Sequence, residues 1–167
     1  MKTTSPARRS SATCLPDPAL PDLPDLRMCN FSALRMASRR VSQVYDTILA
    51  PLGVKTTQLS ILAVVAQKGD PPLTINALAD MLVMDRSTLG QNLRPLERQG
   101  LLKIATDPLD RRARRVTLTR QGRAKLGEGV AYWHKAQAHF EAQFGAEAAA
   151  LRKTLFRIAT SDAFSKF

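Results

Sequence analysis

Residues 85–99 combine an apolar face with side chains that bind nucleic acid. The segment reads DRSTLGQNLRPLERQ, and at about 100° per residue Leu89, Leu93 and Leu96 fall together on one side of a helix. The polar side chains that could meet DNA are Arg86, Ser87, Thr88, Gln91, Arg94 and Arg98. Gln and Arg can bond two atoms of one base edge in the major groove, whereas Ser and Thr can bond bases or phosphates. The pattern predicts a helix that packs on one face and reads double-stranded DNA with the other.

A second basic segment follows at residues 107–115, which read DPLDRRARR. Four arginines lie within five positions, and a guanidinium is strongly attracted into a narrow minor groove. We predict DNA contacts from Arg111, Arg112 and Arg114, and a role for Asp110 in orienting a neighbouring arginine through a carboxylate–guanidinium pair. The alternatives are an ordinary solvated helix face followed by a turn that charge keeps soluble.

Two short helices are predicted before the polar helix. The first runs from a Thr56/Thr57 cap to Gly69, and the second begins at Thr74. A short turn separates the second helix from the polar one, whose free amides Asp85 can cap. Two helices joined by so short a turn are typical of a helix-turn-helix.

After Gly100 the hydrophobic period changes from that of a helix to that of a strand. Residues 101–106 and 115–119 are predicted to pair as a basic hairpin, or wing. Thr119 then caps a long helix that ends at Gly145, and a further helix follows it. The fold class predicted is mainly α, of the α+β type: a winged helix-turn-helix with a two-stranded wing and helices at both ends.

A change in composition near residue 27 separates an N-terminal segment from the rest of the chain. The first 27 residues are rich in Ser, Thr and Pro and are predicted to be a disordered tail, because they cannot bury enough apolar surface to offset the entropy of ordering. The predicted divisions are the tail at 1–27, one domain at 28–160 with its winged helix at about 56–119 and flanking helices at about 31–50 and 120–160, and a C-terminal end at 161–167.

Net charge favours a polyanionic partner. Twenty-five Lys and Arg residues oppose 14 Asp and Glu residues, a formal net charge of +11, so nucleic acid is expected first and an anionic membrane surface second. No stretch approaches the roughly 20 apolar residues that span a bilayer, and prolines interrupt residues 10–25, where a secretory signal would be apolar. Cys14 and Cys29 make no disulfide framework. A cytoplasmic location is therefore predicted.

Signals for metal binding and catalysis are missing from the sequence. His134 and His139 are five positions apart, which does not place both imidazoles on one helix face, and no Cys or acidic cluster supplies a third ligand. A Gly-rich phosphate loop, a Gly-x-Ser-x-Gly elbow and an acid/base pair are also missing. We predict no metal, no cofactor and no enzymatic activity.

The segments LERQGLL and DPLDRRARRVTLTRQG resemble the multiple-antibiotic-resistance regulator (MarR) family of transcriptional regulators. The resemblance extends over about residues 31–160. It implies a winged helix-turn-helix whose reading helix is residues 85–99, with a wing element at Asp110, Arg111 and Arg112. On that match, Arg112 is the residue expected in the minor groove.

The resemblance also implies a homodimer formed by the first and the last two helices. The residues that would carry this interface are Val41, Val44, Trp133, Phe140, Leu155 and Ile158. Pairing with an identical chain would remove from water apolar faces that a small winged helix cannot cover. It would place two reading helices roughly 34 Å apart on a pseudo-palindromic operator. Repression, rather than activation, follows from the resemblance alone. The resemblance also implies a bacterial protein, located on the nucleoid when it binds DNA.

Family members of this kind release DNA when a small aromatic or anionic molecule binds near the dimerisation helices. The candidate effector-binding residues are Arg39, Arg40, Tyr45, Trp133 and His134. Each has a simpler interpretation, because Trp133 can be a core residue, Tyr45 a packed helix residue, and the two arginines a solvated face.

Cys29 is a candidate redox site, because one branch of the family senses organic hydroperoxides through a cysteine at the start of the first helix. When Arg39 and Tyr45 are matched to that branch, the sensing position falls on Phe31, two residues after Cys29. A thiol at a helix N-terminus can still have a lowered pKa and react. Two further alternatives are a non-specific architectural DNA binder and a winged helix that docks proteins.

Overall fold

The computed structural model describes residues 25–68 and 70–165. They fall into two compact units, which divide after Ala37. The first unit contains a short 3-10 helix, Leu26–Met28, capped by the Asp25 carboxylate, which accepts a hydrogen bond from the Arg27 amide at 2.9 Å. Of the tail predicted at 1–27, residues 1–24 lie outside the described residues.

The described elements follow in an order close to the predicted one. Their bounds are α1 (Asn30–Leu49), a 3-10 turn (Ala50–Leu52), α2 (Thr56–Lys68), β1 (Leu73–Thr74), α3 (Ile75–Met81), α4 (Arg86–Arg98), β2 (Leu102–Thr106), β3 (Arg114–Leu118), α5 (Arg120–Phe144), α6 (Glu147–Ala159) and α7 (Asp162–Ser165). Helix α1 begins in the first unit, and all later elements lie in the second. The prediction of a mainly α winged helix is confirmed.

The sheet has three antiparallel strands, in the order β1-β3-β2. Strands β2 and β3 form the predicted hairpin, with Leu102 opposite Leu118 at its base and Thr106 opposite Arg114 near its tip. The sequence did not predict β1, a two-residue strand whose Leu73 lies opposite Val116. A strand this short shows no period of its own and exists only because β3 supplies its hydrogen bonds.

The core of the second unit is built from leucine-rich faces of α2, α3 and α4 and from the inner face of the sheet. Its largest fully buried side chains are Leu49, Ile61, Leu62, Leu78, Leu89, Leu93, Leu96 and Val116. Two glycines let α5 pack closely onto this core. A Cβ atom on Gly122 would overlap the Leu101 carbonyl oxygen, and one on Gly129 would lie 2.6 Å from Cδ1 of Leu59.

The predicted threonine cap of α2 is wrong. Thr56 is the first helical residue, its amide donates to Oδ1 of Asp46 at 2.7 Å, and its own hydroxyl oxygen is buried without a partner. The Lys55 amide donates to Oε1 of Gln58 at 2.9 Å. Acceptors on Asp46 and Gln58 therefore replace the cap that the sequence placed on threonine. The predicted end of α2 at Gly69 lies outside the described residues.

Within the described ranges, no single helix is long and apolar enough to cross a membrane. One bent pair, Asn30–Leu52 with Thr56–Lys68, meets that test jointly, by length and composition only.

Candidate nucleic-acid interface

Hydrogen bonds close both ends of α3, the helix that leads through a tight turn into α4. Thr74 caps α3 by accepting from the Ala77 amide at 3.1 Å. At the end of α3, the Met84 amide donates to the Ala79 carbonyl at 2.9 Å, and Val83 adopts a left-handed backbone conformation with φ of 51°. A β-branched residue is strained there, so the chain tolerates strain at the turn that introduces α4.

Both ends of α4 itself are closed by residues that the sequence predicted. Asp85 caps the helix by accepting from the Thr88 amide at 2.7 Å. Gly100, at φ of 67°, ends it in a Schellman motif in which the Leu101 amide donates to the Leu96 carbonyl at 2.9 Å. Helix α4 thus has a defined length and a fixed junction with the wing.

The two faces of α4 differ as predicted. Leu89, Leu93 and Leu96 are at most 2% exposed. The predicted DNA-binding side chains of this helix, Arg86, Ser87, Thr88, Gln91, Arg94 and Arg98, are all exposed. Three of them, Gln91, Arg94 and Arg98, line one open depression together with Pro95 and Glu97. The structure therefore brings these three side chains together on the surface.

The Asp85 carboxylate has a second role that the sequence did not predict. Besides capping the helix, it accepts hydrogen bonds from the hydroxyls of Ser87 and Thr88, each at 2.6 Å. These hydrogen bonds hold the pKa of the Asp85 carboxyl far below its usual value. The two hydroxyls that were predicted to contact DNA are therefore already engaged as donors.

The tip of the wing is shaped by Asp110, although not in the predicted way. Its carboxylate accepts from the Arg112 backbone amide, and its carbonyl accepts from the Ala113 amide, both at 2.9 Å. The predicted pair between Asp110 and an arginine side chain is wrong, because these main-chain hydrogen bonds are what Asp110 makes in the structure. Arg111, Arg112 and Arg114 are exposed, as predicted.

A carboxylate–guanidinium pair does occur in the wing, at its base. Asp107 is 4% exposed, and its Oδ2 accepts from Nε of Arg115 at 2.6 Å. The Leu109 amide, followed by the Arg115 guanidinium, holds the pKa of the Asp107 carboxyl below its usual value against the opposing effect of burial. Nη1 of Arg115 donates to the Pro72 carbonyl at 2.5 Å. This wing latch, formed by Asp107, Arg115 and Pro72, ties the hairpin to the chain that enters β1.

The candidate effector residues of the second unit lie in two settings. Tyr45 packs between helices and donates to Oε1 of Gln137 at 3.1 Å, and burial, aided by the charge of Glu141, raises its pKa. Trp133 contacts His134 edge to face, with ring centroids 4.9 Å apart. The interpretation of Trp133 as a core residue is wrong, because 45% of it is exposed. Arg39 and Arg40 are exposed.

Cys29 lies in the first unit, immediately before α1. The Ser32 amide, and then the Ser32 hydroxyl, hydrogen-bond to its sulfur and lower the pKa of the thiol. Among the described residues Cys29 is a free thiol. Cys14 lies outside the described residues. A redox role for Cys29 stays a prediction.

Comparisons with known proteins agree with this geometry. A family model described as MarR family matches residues 52–113, whereas no curated protein sequence matches the chain. The DNA complex of the Mycobacterium tuberculosis transcriptional regulator MosR is 31% identical, over 83% of this chain and 99% of that one, with a TM-score of 0.73.

Two further solved structures are similar. The transcriptional repressor CouR, bound to a 23-mer DNA duplex, is 26% identical over 80% of this chain and 94% of that one, with a TM-score of 0.70. BpsR from Bordetella bronchiseptica, whose DNA binding is regulated by 6-hydroxynicotinic acid, is 23% identical over 84% of this chain and 99% of that one, with a TM-score of 0.72.

The wing latch can be tested with a substitution for which a purely electrostatic effect and a positioning effect change DNA affinity in opposite directions. Arg115→Ala and Asp107→Asn should each lower operator affinity by about tenfold, comparable to the loss of one good base contact, because each releases the wing. Asp107→Asn removes a negative charge, so a purely electrostatic wing would bind DNA more tightly. Fluorescence anisotropy with a labelled operator measures both variants, and tighter binding by Asp107→Asn would contradict the latch.

Proposed function

The chain belongs to the MarR family of DNA-binding transcriptional regulators, and from that premise we propose that it is a homodimeric repressor of a pseudo-palindromic operator, released by a small ligand. The observation that carries the proposal is the exposed polar face of α4, whose Gln91, Arg94 and Arg98 converge on one depression. The family relation supports DNA as the partner of this face. The repressor CouR and its duplex support repression as the outcome.

Affinity and specificity are divided between α4 and the wing in this proposal. With α4 in the major groove, Gln91 and Arg94 can each bond two atoms of a base edge. Arg112, exposed at the wing tip, enters the adjacent minor groove, where a guanidinium is attracted by the negative potential. The net charge of +11 adds a sequence-independent attraction to phosphates.

Arg112→Ala should weaken binding to the operator by about 10- to 100-fold, and Gln91→Ala should broaden the bases accepted at one position. Electrophoretic mobility shifts in excess competitor DNA, at two salt concentrations, measure both effects. Arg157→Ala is the matched control, because it removes one exposed positive charge from α6.

Other outcomes of the same assay identify the two alternatives. If the protein is a docking module, replacing Arg112 and Gln91 by Ala should not change the binding that the assay measures. An architectural binder would hold scrambled DNA as tightly as the operator and would lose both equally as salt rises.

The homodimer is supported by apolar surface on α5 and α6. Five large side chains there are between 40% and 65% exposed: Val130, Trp133, Phe144, Leu155 and Phe156. Val41 of α1 is half-buried in the same unit. Exposed apolar faces of this kind are stabilised when a second copy covers them.

Leu155→Glu should convert the protein to a monomer and lower operator affinity by about 100-fold or more, because two linked reading helices bind far more tightly than one. Ala150→Glu is the matched control, since Ala150 is exposed and lies on the side of α6 away from both Leu155 and Phe156. Analytical ultracentrifugation and anisotropy are the measurements. A Leu155→Glu protein that still sediments as a dimer would refute this interface.

We propose that the protein releases its operator when an aromatic acid binds near α1 and α5. Support comes from BpsR, whose DNA binding responds to 6-hydroxynicotinic acid, and from the ring of Trp133, which is exposed beside His134. Arg39 and Arg40 offer exposed cations for a carboxylate.

An aromatic acid such as 6-hydroxynicotinic acid should dissociate the operator complex, and Arg40→Ala should reduce that response without changing affinity in its absence. The uncharged amide of the same acid is the control ligand. A parallel arm with an organic hydroperoxide tests the Cys29 alternative, which requires dissociation that Cys29→Ser abolishes. No response to any aromatic acid would remove this class of effector.

A further inference from the structure

At the start of α4, the Asp85 carboxylate accepts hydrogen bonds from both Ser87 and Thr88. Oδ1 of Asp85 accepts from the Ser87 hydroxyl at 2.6 Å and from the Thr88 amide at 2.7 Å. Oδ2 accepts from the Thr88 hydroxyl at 2.6 Å. We call this arrangement the Asp85 cluster.

The charge of Asp85 fixes the direction of each hydrogen bond. An ionised carboxylate has only acceptor atoms, and a hydroxyl has a single hydrogen to donate. Ser87 and Thr88 must therefore both direct their hydrogens at Asp85. Hydrogen bonds to an ionised acceptor are about twice as strong as neutral ones, so a neutral base edge does not compete for these hydrogens.

Ser87 consequently presents only lone pairs to a ligand. Its side chain is exposed, and at about 100° per residue it lies on the same side of α4 as Gln91, Arg94 and Arg98. In the major groove, the hydrogen-bond donors are the amino groups of cytosine and adenine, whereas guanine O6 and N7, thymine O4 and phosphate oxygens are acceptors. Two acceptors facing each other repel, so most of the groove is closed to Ser87.

We propose that Ser87 is a specificity-determining residue that accepts a hydrogen bond from the exocyclic amino group of a cytosine or adenine in the operator, and that Asp85 positions the Ser87 hydroxyl for this by engaging its hydrogen. The inference rests on the proposed function, because it requires α4 in the major groove. It narrows the general expectation that a serine here bonds any base or phosphate.

The test begins with the operator bound by the wild-type dimer. At each position, cytosine is replaced by 2-pyrimidinone, or adenine by purine, which deletes only the amino group. The analogue is placed at the equivalent position of both half-sites, because Ser87→Ala acts in both. At the position that Ser87 contacts, the loss should be about three- to tenfold per half-site, the range of a neutral hydrogen bond. Ser87→Ala should show the same loss on the natural operator and no further loss on the analogue. The double-mutant cycle cancels the weakening of the base pair itself, and the two analogues distinguish cytosine from adenine.

A second pair of variants tests the role of Asp85. Asp85→Ser keeps a side-chain oxygen to cap the Thr88 amide but cannot hold both hydroxyl hydrogens. Ser87 then regains a donor, and binding-site selection should accept guanine or thymine at that position. Thr88→Val is the matched comparison, because it leaves Ser87 bonded to Oδ1 of Asp85. Guanine and thymine should therefore stay excluded at the position that Ser87 contacts, whatever contact Thr88 itself loses. Circular dichroism melting checks that each variant is folded.

Three results would overturn the inference. Ser87→Ala could weaken all DNA sequences equally, which would indicate a phosphate contact, or Asp85→Ser could leave the base preference unchanged. Either result leaves the proposed function intact, because wild-type protein still selects an operator. If wild-type protein selects no sequence at all, the proposed function fails first and this inference fails with it.

Discussion

Burial of one face of α4 is the constraint on which the rest of the structure depends. Leu89, Leu93 and Leu96 are at most 2% exposed, and the helix contacts α2, α3 and β2. Rotating α4 about its axis would return these side chains to water at a cost of roughly 1.5–3 kcal/mol each. The polar face is therefore held at one angle to the wing, and the direction in which Gln91 points is decided by the core.

Local rules predicted the ends of most elements correctly, because the interacting groups are close in sequence. Thr74, Asp85 and Thr119 each accept a hydrogen bond from an amide three residues later. Gly100 and Gly145 each follow the end of a helix, at positive φ. Residue type and spacing determine such contacts, so the sequence alone was enough to delimit α3, α4 and α5 and to expose the polar face of α4.

Predictions failed where the group that a residue bonds to is distant in sequence. They also failed where the surface that would cover a residue is not part of its own helix. The acceptor for the Thr56 amide is Asp46, which comes from the preceding helix. The wing's ion pair falls on Asp107 rather than Asp110, because Arg115 also reaches the Pro72 carbonyl, 43 residues away. Strand β1 exists only through β3. The period of α5 placed Trp133 on an apolar stripe, but a period does not say whether the chain itself covers that stripe.

Two acidic residues, Asp85 and Asp107, have an unexpected place in the surface that we propose binds DNA phosphates. Positive charge supplies attraction to any DNA, because phosphates are the same in every sequence. Asp107 removes the Arg115 guanidinium from that surface, and Asp85 removes two hydroxyl hydrogens from it. A carboxylate near DNA is electrostatically unfavourable, and here each one is offset by hydrogen bonds within the protein. Since free donors bind any phosphate oxygen, engaging them internally reduces the number of DNA sites that the surface can satisfy. If the proposed function holds, the cations of a chain with a net charge of +11 raise affinity for all DNA, and these two carboxylates restrict which DNA fits.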